Sequence, residues 1–250
     1  MIELSNFSIG YEERNLIYKT NTTIEKCKLT ALIGRNGSGK STLLRAIAGL
    51  NKNYSGEIRL SGKSVKNMNV SQIAKTISFV TTERTRIPNM RCKDVVAAGR
   101  APYTNWIGKI QDADRDIVMQ SLAKVGMESY AERTMDKMSD GECQRIMVAR
   151  ALAQSTPIIL LDEPTSFLDM PNRYELCSLL LQLAHDEEKC ILFSTHELDI
   201  ALSVADYIAF IDSAQLSCIS TDEFKHNNYI EKIFHSKHKG CNTMFKFIIP

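Results

Sequence analysis

A glycine-rich stretch between an apolar run and a helical pattern constrains the fold of this chain more than any other feature. Residues 34–42 read Gly-Arg-Asn-Gly-Ser-Gly-Lys-Ser-Thr, which has the form G-x-x-x-x-G-K-[ST]. The mainly apolar residues 29–33 predict a buried strand, and residues 43–50 place their apolar side chains on one helical face. Strand, loop and helix in this order are typical of a phosphate-binding loop.

The residue types of this loop match the chemistry of a phosphate chain. Glycines let the backbone curl tightly and bring successive N–H groups against phosphate oxygens, where a Cβ would collide. Lys40 supplies a point charge to the outer phosphates, Ser41 offers a hydroxyl to Mg²⁺, and the helix start adds the positive end of its dipole. The residues predicted to bind nucleotide here are Gly34, Asn36, Gly37, Ser38, Gly39, Lys40, Ser41 and Thr42.

Composition limits the class of protein. The 250 residues are 44% hydrophobic and 24% charged, which is ordinary for a globular chain with a sizeable core. The net charge of +2 gives no reason to expect nucleic acid as a partner. Seven scattered cysteines without a C-x-x-C pair favour free thiols in a reducing compartment. No apolar segment approaches the ~18 residues that span a bilayer, so we expect the chain by itself to be soluble.

The N-terminal part of the chain has the pattern of antiparallel strands. Short alternating segments such as 2–4 and 16–18 are interrupted by turn-forming residues at Asn6, Gly10 and Asn15. We therefore expect short antiparallel strands before the phosphate loop.

The remaining patterns predict an α/β fold in a single domain, 1–250. Residues 1–84 hold the antiparallel strands and the nucleotide-binding core. Residues 85–155 change to helical patterns and read as an inserted helical subdomain. Residues 156–220 return to strand, helix and strand, which favours a parallel sheet with packed helices. A polar, basic tail follows at 221–250.

A second apolar strand ends in two carboxylates. Residues 158–161 are followed directly by Asp162 and Glu163. Strand ends beside a phosphate loop form the ligand crevice of an open parallel sheet. There, Asp162 can hold Mg²⁺ while the phosphates bind the same ion, and Glu163 can deprotonate a water aimed at the γ-phosphorus. In isolation the pair could equally cap a helix, but the upstream loop favours the catalytic interpretation.

Four further segments carry a resemblance to a known family that covers nearly the whole chain. Residues 138–144, Met-Ser-Asp-Gly-Glu-Cys-Gln, resemble the LSGGEQQ signature of the nucleotide-binding subunits of ABC transporters. Residues 166–169 resemble the loop beyond the second carboxylate, 194–196 resemble the switch-histidine segment, and 9–11 match the place where an aromatic ring stacks on adenine. The resemblance implies a P-loop NTPase fold of the ABC ATPase class. Such a domain has a mixed, mainly parallel core sheet, an N-terminal antiparallel β subdomain and an inserted helical subdomain, and it binds ATP and Mg²⁺.

The same resemblance implies roles for five more residues. Ser139 and Gly141 would open a helix that binds the γ-phosphate of ATP held by another subunit. His196 would hydrogen-bond the γ-phosphate and sense its presence, Tyr11 would stack on adenine, and Asp169 would order the dimer interface. Taken alone, Ser139 with Glu142 would be an ordinary capping box, His196 a core or surface histidine and Tyr11 a strand tyrosine.

Two departures from the family pattern affect the predicted site. After a strand of this kind the family usually places Gln, which touches Mg²⁺ and water, whereas this chain has Thr82 at or near that position. We include Thr82 among the predicted metal contacts with Ser41 and Asp162, although its hydroxyl reaches less far. Asp140 and Cys143 replace the commoner Gly and Gln of the signature.

Residues 95–108 resemble a stretch in the ATPases of iron-siderophore, haem and cobalamin importers. Trp106, with Tyr103 and Ile107, would suit the docking of a coupling helix, or else would cover the core of the helical subdomain. The resemblance implies a homodimer with ATP at its interface, integral membrane permease subunits, a substrate-binding protein in the full system, and a peripheral position on the cytoplasmic face of the cell membrane.

Three alternatives stay open at this stage. A soluble ABC ATPase without a permease would share every motif above. An ATP-binding regulatory module that hydrolyses little is suggested by Thr82. A metal site in the tail is conceivable because His235, His238 and Cys241 recur every three residues, but the neighbouring lysines discourage a cation.

Overall fold

The computed structural model describes residues 1–11, 14–83, 86–104, 111–227 and 229. Two sequence predictions fall outside them. Trp106 and Ile107 of the docking cluster lie outside the described residues, and so does the tail segment that contains His235, His238 and Cys241.

One sheet is antiparallel and lies at the N-terminal side of the chain. Its strands are β1 (Ile2–Tyr11), β2 (Arg14–Ile24), β4 (Tyr54–Leu60) and β5 (Lys63–Ser64), in the order β2-β1-β4-β5. The expected strand breaks at Asn6, Gly10 and Asn15 are wrong, because Asn6 and Gly10 lie inside β1 and Asn15 lies inside β2. Asn6 has a φ of 47°, and the register of β1 shifts there against both neighbours, so it forms a bulge within a longer strand.

In the part of the chain that the structure describes, the second sheet has six strands and includes the strand that precedes the phosphate loop. Its strands are β3 (Lys28–Gly34), β6 (Ile77–Val80), β7 (Ile158–Asp162), β8 (Cys190–Ser194), β9 (Tyr207–Asp212) and β10 (Gln215–Ser220), in the order β10-β9-β3-β8-β7-β6. All neighbours pair in parallel except β9 and β10, which are antiparallel. The predicted mixed, mainly parallel sheet with a separate antiparallel sheet is confirmed.

The central strands are continuously apolar because both of their faces are covered. Every residue of β7 and β8 is buried, as expected for strands between two layers. Alternate residues of β7 belong to different apolar clusters. Ile158 and Leu160 pack with the antiparallel sheet and the helix that follows the phosphate loop. Ile159 and Leu161 pack on the opposite face, with the helices of the inserted subdomain and with the helices that precede and follow β8. The core sheet is therefore held between two apolar layers.

Helices occupy the connections between the strands. They are α1 (Lys40–Ile47), α2 (Val70–Ala74), α3 (Cys92–Ala97), α4 (Asp112–Lys124), α5 (Asp140–Ala153), α6 (Met170–Asp186), α7 (Leu198–Val204) and α8 (Thr221–His226). Helices α3 to α5 form the predicted helical insert between β6 and β7. Within the described ranges, no helix combines the length and apolar character needed to cross a membrane.

The last turn of α5 is attached to the core sheet. The Gln154 amide, just after the helix, donates to the carbonyls of Ala74 (2.6 Å) and Ile77 (2.9 Å). These two hydrogen bonds hold the end of the helical insert beside the start of β6. The exact division of the chain into segments at 84, 155 and 220 stays a prediction.

Candidate nucleotide site

The phosphate loop joins the end of β3 to the start of α1. Gly39 directly precedes the helix with a φ of 105°, a conformation that residues with a Cβ rarely adopt. A Cβ at this position would also lie 2.9 Å from Cβ of Leu16. Backbone geometry and lack of space therefore both explain why glycine precedes Lys40.

Lys40 points into the loop. Its side chain is buried, and its Nζ donates to the carbonyl of Gly34 (2.9 Å). Burial lowers the pKa of Lys40, and the nearby Glu163 and Asp162 carboxylates partly oppose that shift. A buried ammonium group is stabilised by anionic neighbours, which a phosphate chain would supply.

Ser38 provides a second indication of a ligand at this loop. Its hydroxyl oxygen is buried and has no hydrogen-bond partner among the described residues. Buried polar groups are nearly always paired, so an orphaned one calls for an explanation such as a bound ligand. The loop therefore fits a bound phosphate group by its chemistry as well as by its sequence pattern.

The two predicted carboxylates lie at the end of β7 and are held by Ser194 of the adjacent strand. Asp162 is buried, and its Oδ1 accepts a hydrogen bond from the Ser194 hydroxyl (2.6 Å). The same hydroxyl oxygen accepts from the backbone N–H of Glu163 (2.9 Å). Glu163 has a φ of 48°, a strained conformation that is found disproportionately at functional sites.

His196 lies at the next strand end and faces Glu163. Its Nδ1 is 3.8 Å from Oε1 of Glu163, and more than half of its side chain is exposed. The adjoining Glu197 accepts from the Thr165 hydroxyl (2.9 Å) and pairs with Arg173. These contacts connect the loop that contains His196 to the loop that follows Glu163.

One cavity of about 570 Å³ brings most of the predicted residues together. The Tyr11 and Thr42 hydroxyls at its rim lie 3.2 Å apart, and the tyrosine side chain is 61% exposed. An exposed ring at the rim of such a cavity is available to a planar base. The predicted residues that line the cavity are Tyr11, Asn36, Gly37, Gly39, Lys40, Ser41, Thr42, Glu163 and His196.

Gly34, Ser38 and Asp162 do not line this cavity themselves. Gly34 contributes the carbonyl that Lys40 binds, Ser38 belongs to the same loop and lines a neighbouring cavity, and Asp162 is buried directly before Glu163. The predicted residues of the loop and the two strand ends therefore form one contiguous region.

Thr82 lies beside Asp162, as its position after β6 predicts. Its hydroxyl donates to the backbone carbonyl of Asp162 (3.1 Å). The hydroxyl proton is therefore engaged with the main chain, while the oxygen lone pairs stay available. Metal contact by Thr82 stays a prediction.

The signature segment forms the start of α5 and stands apart from the cavity. Ser139 caps the helix: its hydroxyl oxygen accepts from the backbone N–H of Glu142 (3.2 Å), and its own N–H donates to the Glu142 carboxylate (2.7 Å). A Cβ on Gly141 would lie 2.9 Å from the Leu168 side chain, so the signature helix packs closely on the loop before α6. The predicted capping box is present, and it leaves open whether Ser139 also contacts phosphate.

Asp169 caps α6 in the same way that Ser139 caps α5. Its Oδ1 accepts from the backbone N–H of Asn172 (3.2 Å). Among the described residues that line the cavity, none comes from α5 or from the Asp169 loop. The structure therefore does not bring Ser139, Gly141 or Asp169 to the phosphate loop of their own chain.

Sequence reasoning missed three residues of this site. Ser194 received no role of its own, although a serine at the end of an apolar strand beside a histidine was a usable signal. Its importance depends on the pairing of Asp162 with Ser194 across two parallel strands, which only the tertiary structure supplies. Arg14 and Leu16 also line the cavity, and nothing in the sequence pattern distinguishes them.

Comparisons with known proteins identify the family of the chain. Residues 17–166 match the family model described as ABC transporter. The chain is 40% identical over 211 residues to an uncharacterized ABC transporter ATP-binding protein of Methanocaldococcus jannaschii, covering 84% of this chain and 73% of that protein. It is 36% identical over 215 residues to a petrobactin import ATP-binding protein of Bacillus anthracis, covering 86% and 79%.

Solved structures give the same result for the fold. A metal-chelate type ABC transporter in an inward-facing conformation superposes with a TM-score of 0.82 at 27% identity, covering 94% of this chain and 88% of that one. The sequence motifs, the sheet order and these similarities lead to one conclusion. The chain belongs to the ABC transporter family, as one of its ATP-binding proteins.

Proposed function

We propose that this chain is the ATP-hydrolysing subunit of an ABC importer whose cargo is of the iron-siderophore, haem or cobalamin type. The observation that carries the proposal is the meeting of Lys40, Glu163 and His196 at one cavity of about 570 Å³, although they come from three separate segments. The reaction is ATP and water to ADP and phosphate. The strand ends of a parallel sheet, where these residues lie, are the usual ligand crevice of such folds.

ATP would bind at the phosphate loop and at the rim of the cavity. The backbone N–H groups of the loop and the start of α1 would bind the phosphate oxygens, and the buried Lys40 would neutralise their charge. The unpaired Ser38 hydroxyl would find its missing partner there. Tyr11, exposed at the rim, would stack on the adenine ring.

The donor set near the loop fits Mg²⁺, which prefers carboxylate and hydroxyl oxygens. Ser41 at the start of α1 and Asp162 at the end of β7 would hold the ion, with Thr82 as a third oxygen beside Asp162. One oxygen of Asp162 is bound by Ser194, which orients the carboxylate and leaves the other oxygen for the metal. When bound, Mg²⁺ would neutralise charge on the phosphates.

Glu163 would act as the general base. Its carboxylate lines the cavity, and its backbone is held by Ser194 in a strained conformation that directs the side chain. His196, whose Nδ1 lies 3.8 Å from Oε1 of Glu163, would hydrogen-bond the γ-phosphate. Replacing Glu163 by Gln should cut turnover by ~10²-fold or more and preserve ATP binding.

The signature helix is proposed to act in a second copy of the chain. Ser139 and Gly141 stand apart from the cavity of their own chain, and a capped helix start is suited to bind an anion. Two copies packed head to tail would then bury two ATP molecules, with Asp169 ordering the interface. Closure on ATP and opening after hydrolysis would drive the transporter.

The importer role and the cargo rest on similarity. The petrobactin import protein and the metal-chelate type transporter are what this chain is similar to over most of its length. By extension, we propose integral membrane permease subunits and a substrate-binding protein as partners, with this chain peripheral on the cytoplasmic face of the membrane. Co-purification with the permease after co-expression tests this part; an ATPase that never associates with a membrane protein would favour the soluble alternative.

Phosphate release with and without Mg²⁺ tests the enzymatic part. The proposal expects Mg²⁺-dependent release that the Glu163→Gln variant loses. Release near background in the wild-type chain, with tight ATP binding, would instead support a regulatory module, the second alternative, which Thr82 suggests.

A further inference from the structure

An ion pair joins the loop after β6 to the first turn of α5. Nη2 of Arg86 lies 2.6 Å from Oδ1 of Asp140, fifty-four residues away in sequence. Both side chains are partly exposed, at 48% and 31%. Asp140 directly follows Ser139, the residue that caps α5, so the pair stands at the helix start that the proposed function assigns to the ATP of a second copy.

Asp140 creates an electrostatic conflict with that role. The N–H groups and dipole of a helix start attract an anion, but a carboxylate at the first helical position repels one. The Glu142 carboxylate, which accepts from the Ser139 N–H, adds a second negative charge to the same turn. Without a compensating cation, this helix start would be a poor site for a γ-phosphate.

We infer that Arg86 compensates the charge of Asp140, so that α5 of one copy can accept the γ-phosphate of ATP bound by the other copy. The inference rests on the proposed function. Arg86 is a positioning residue here, since it acts through Asp140 and need not touch the nucleotide. It also lies four residues after Thr82, so the pair connects the strand end beside Asp162 to the helix that meets the second ATP.

The effect of the pair should appear on dimer closure and hardly at all on folding. In the free chain the pair is partly exposed, and exposed ion pairs contribute little to stability. In the closed dimer the same groups would lose water, so an Asp140 carboxylate that has lost the Arg86 charge would repel the phosphate more strongly in a medium of lower dielectric constant. Loss of Arg86 should therefore weaken ATP-driven dimerisation while the melting temperature of the nucleotide-free chain hardly changes.

A double-mutant cycle tests this inference. In a Glu163→Gln background, light scattering over a range of protein concentrations would give the ATP-dependent dimer dissociation constant of three variants: Arg86→Gln, Asp140→Asn and the double variant. We expect Arg86→Gln to weaken the dimer about tenfold or more and Asp140→Asn not to weaken it. The double variant should return to within about twofold of Asp140→Asn.

Arg91 supplies a matched control. It forms a similar exposed pair with Glu132, 2.7 Å apart with side chains 54% and 65% exposed, at the start of α3. Arg91→Gln should leave dimerisation unchanged. Arg86→Lys, which keeps the charge, should retain most of the affinity.

Each contrary outcome has a definite meaning. Charge compensation would be overturned by unaltered dimerisation of Arg86→Gln. It would also be overturned if the double variant, or Arg86→Lys, dimerised as weakly as Arg86→Gln. In each of these cases the proposed function would still stand. A Glu163→Gln reference that stays monomeric with ATP would overturn both.

Discussion

Ser194 illustrates how one hydroxyl orients two acidic residues. It donates to the Asp162 carboxylate and accepts from the Glu163 N–H, with distances of 2.6 Å and 2.9 Å, and it is fully buried. It therefore sets both the direction of the proposed Mg²⁺ ligand and the strained backbone of the proposed base. Its place at the end of an apolar strand beside a histidine is a local signal, but its role depends on Asp162 of the neighbouring strand.

Replacing Ser194 by Ala should lower turnover and spare ATP binding. The change leaves the partly buried Glu163 N–H without its acceptor and the Asp162 carboxylate without this donor, a loss of about 1–3 kcal/mol for each unsatisfied group. We expect kcat for phosphate release to fall about tenfold or more, with KM for ATP changed less. Ser203→Ala is the control, since among the residues that the structure describes its hydroxyl bonds only the Ile200 carbonyl, within α7. An unchanged kcat would show that Ser194 does not position the carboxylates.

At the scale of single elements, the central strands carry much of the stability. Strands β7 and β8 are buried throughout, and their alternate residues pack into the apolar layers on opposite faces of the sheet. Because the carboxylates follow directly on β7, the packing of this strand also fixes the position of the site.

Replacing Leu160 by Ala should destabilise the chain strongly. Leu160 is 0% exposed in the middle of β7, so truncation would leave a cavity and cost about 2–5 kcal/mol. Leu50→Ala is the comparison, because Leu50 is 68% exposed and its loss should stay within about 0.5 kcal/mol. Urea unfolding measures both; equal midpoints for the two variants would contradict the burial assigned to β7.

The buried thiols of Cys177 and Cys190 and the half-buried thiol of Cys218 should react slowly in the folded chain. Burial raises the pKa of Cys177 in α6 and Cys218 in β10 to about 12, and that of Cys190 in β8 to about 11, from an ordinary value of 9.0. A folded-state pKa above the unfolded value favours the fold while the thiol is neutral. This stabilising contribution is complete below pH 9 and is lost as the pH rises towards 12.

Alkylation followed by peptide mass spectrometry checks this prediction. At pH 8, these three thiols should be alkylated at least about 100-fold more slowly in the native chain than in the unfolded chain, because only the thiolate reacts. Unfolding with increasing pH should begin above pH 9. Similar labelling rates in native and unfolded chains would contradict the buried placement.

The elements also show what could be predicted from sequence and why. The phosphate loop, the carboxylates after β7 and the helices of the insert were predictable, because local chemistry or helical periodicity determines each of them. The length of β1 was not, because turn-forming Asn6 is accommodated as a bulge by pairing on both sides. The contacts of Ser194, Thr82 and Arg86 depend on residues far away in sequence, and no local pattern reports them.

At the scale of the whole molecule, the core sheet brings together the residues of the proposed reaction centre that a single chain supplies around its own ATP. Lys40, Glu163 and His196 meet at one cavity, whereas Ser139 stands on a separate helix outside it. That helix is fastened to the core through Gln154, whose amide bonds two carbonyls near β6. A chain built in this way would complete its site only with a second copy.

The mass of the Glu163→Gln variant with ATP and Mg²⁺ tests this central claim most directly. Light scattering should report twice the 28.2 kDa of one chain with ATP and Mg²⁺, and a single chain with ADP or without nucleotide. A mass that stays at 28.2 kDa under saturating ATP and Mg²⁺ would contradict the account, because Ser139 would then have no ATP to meet.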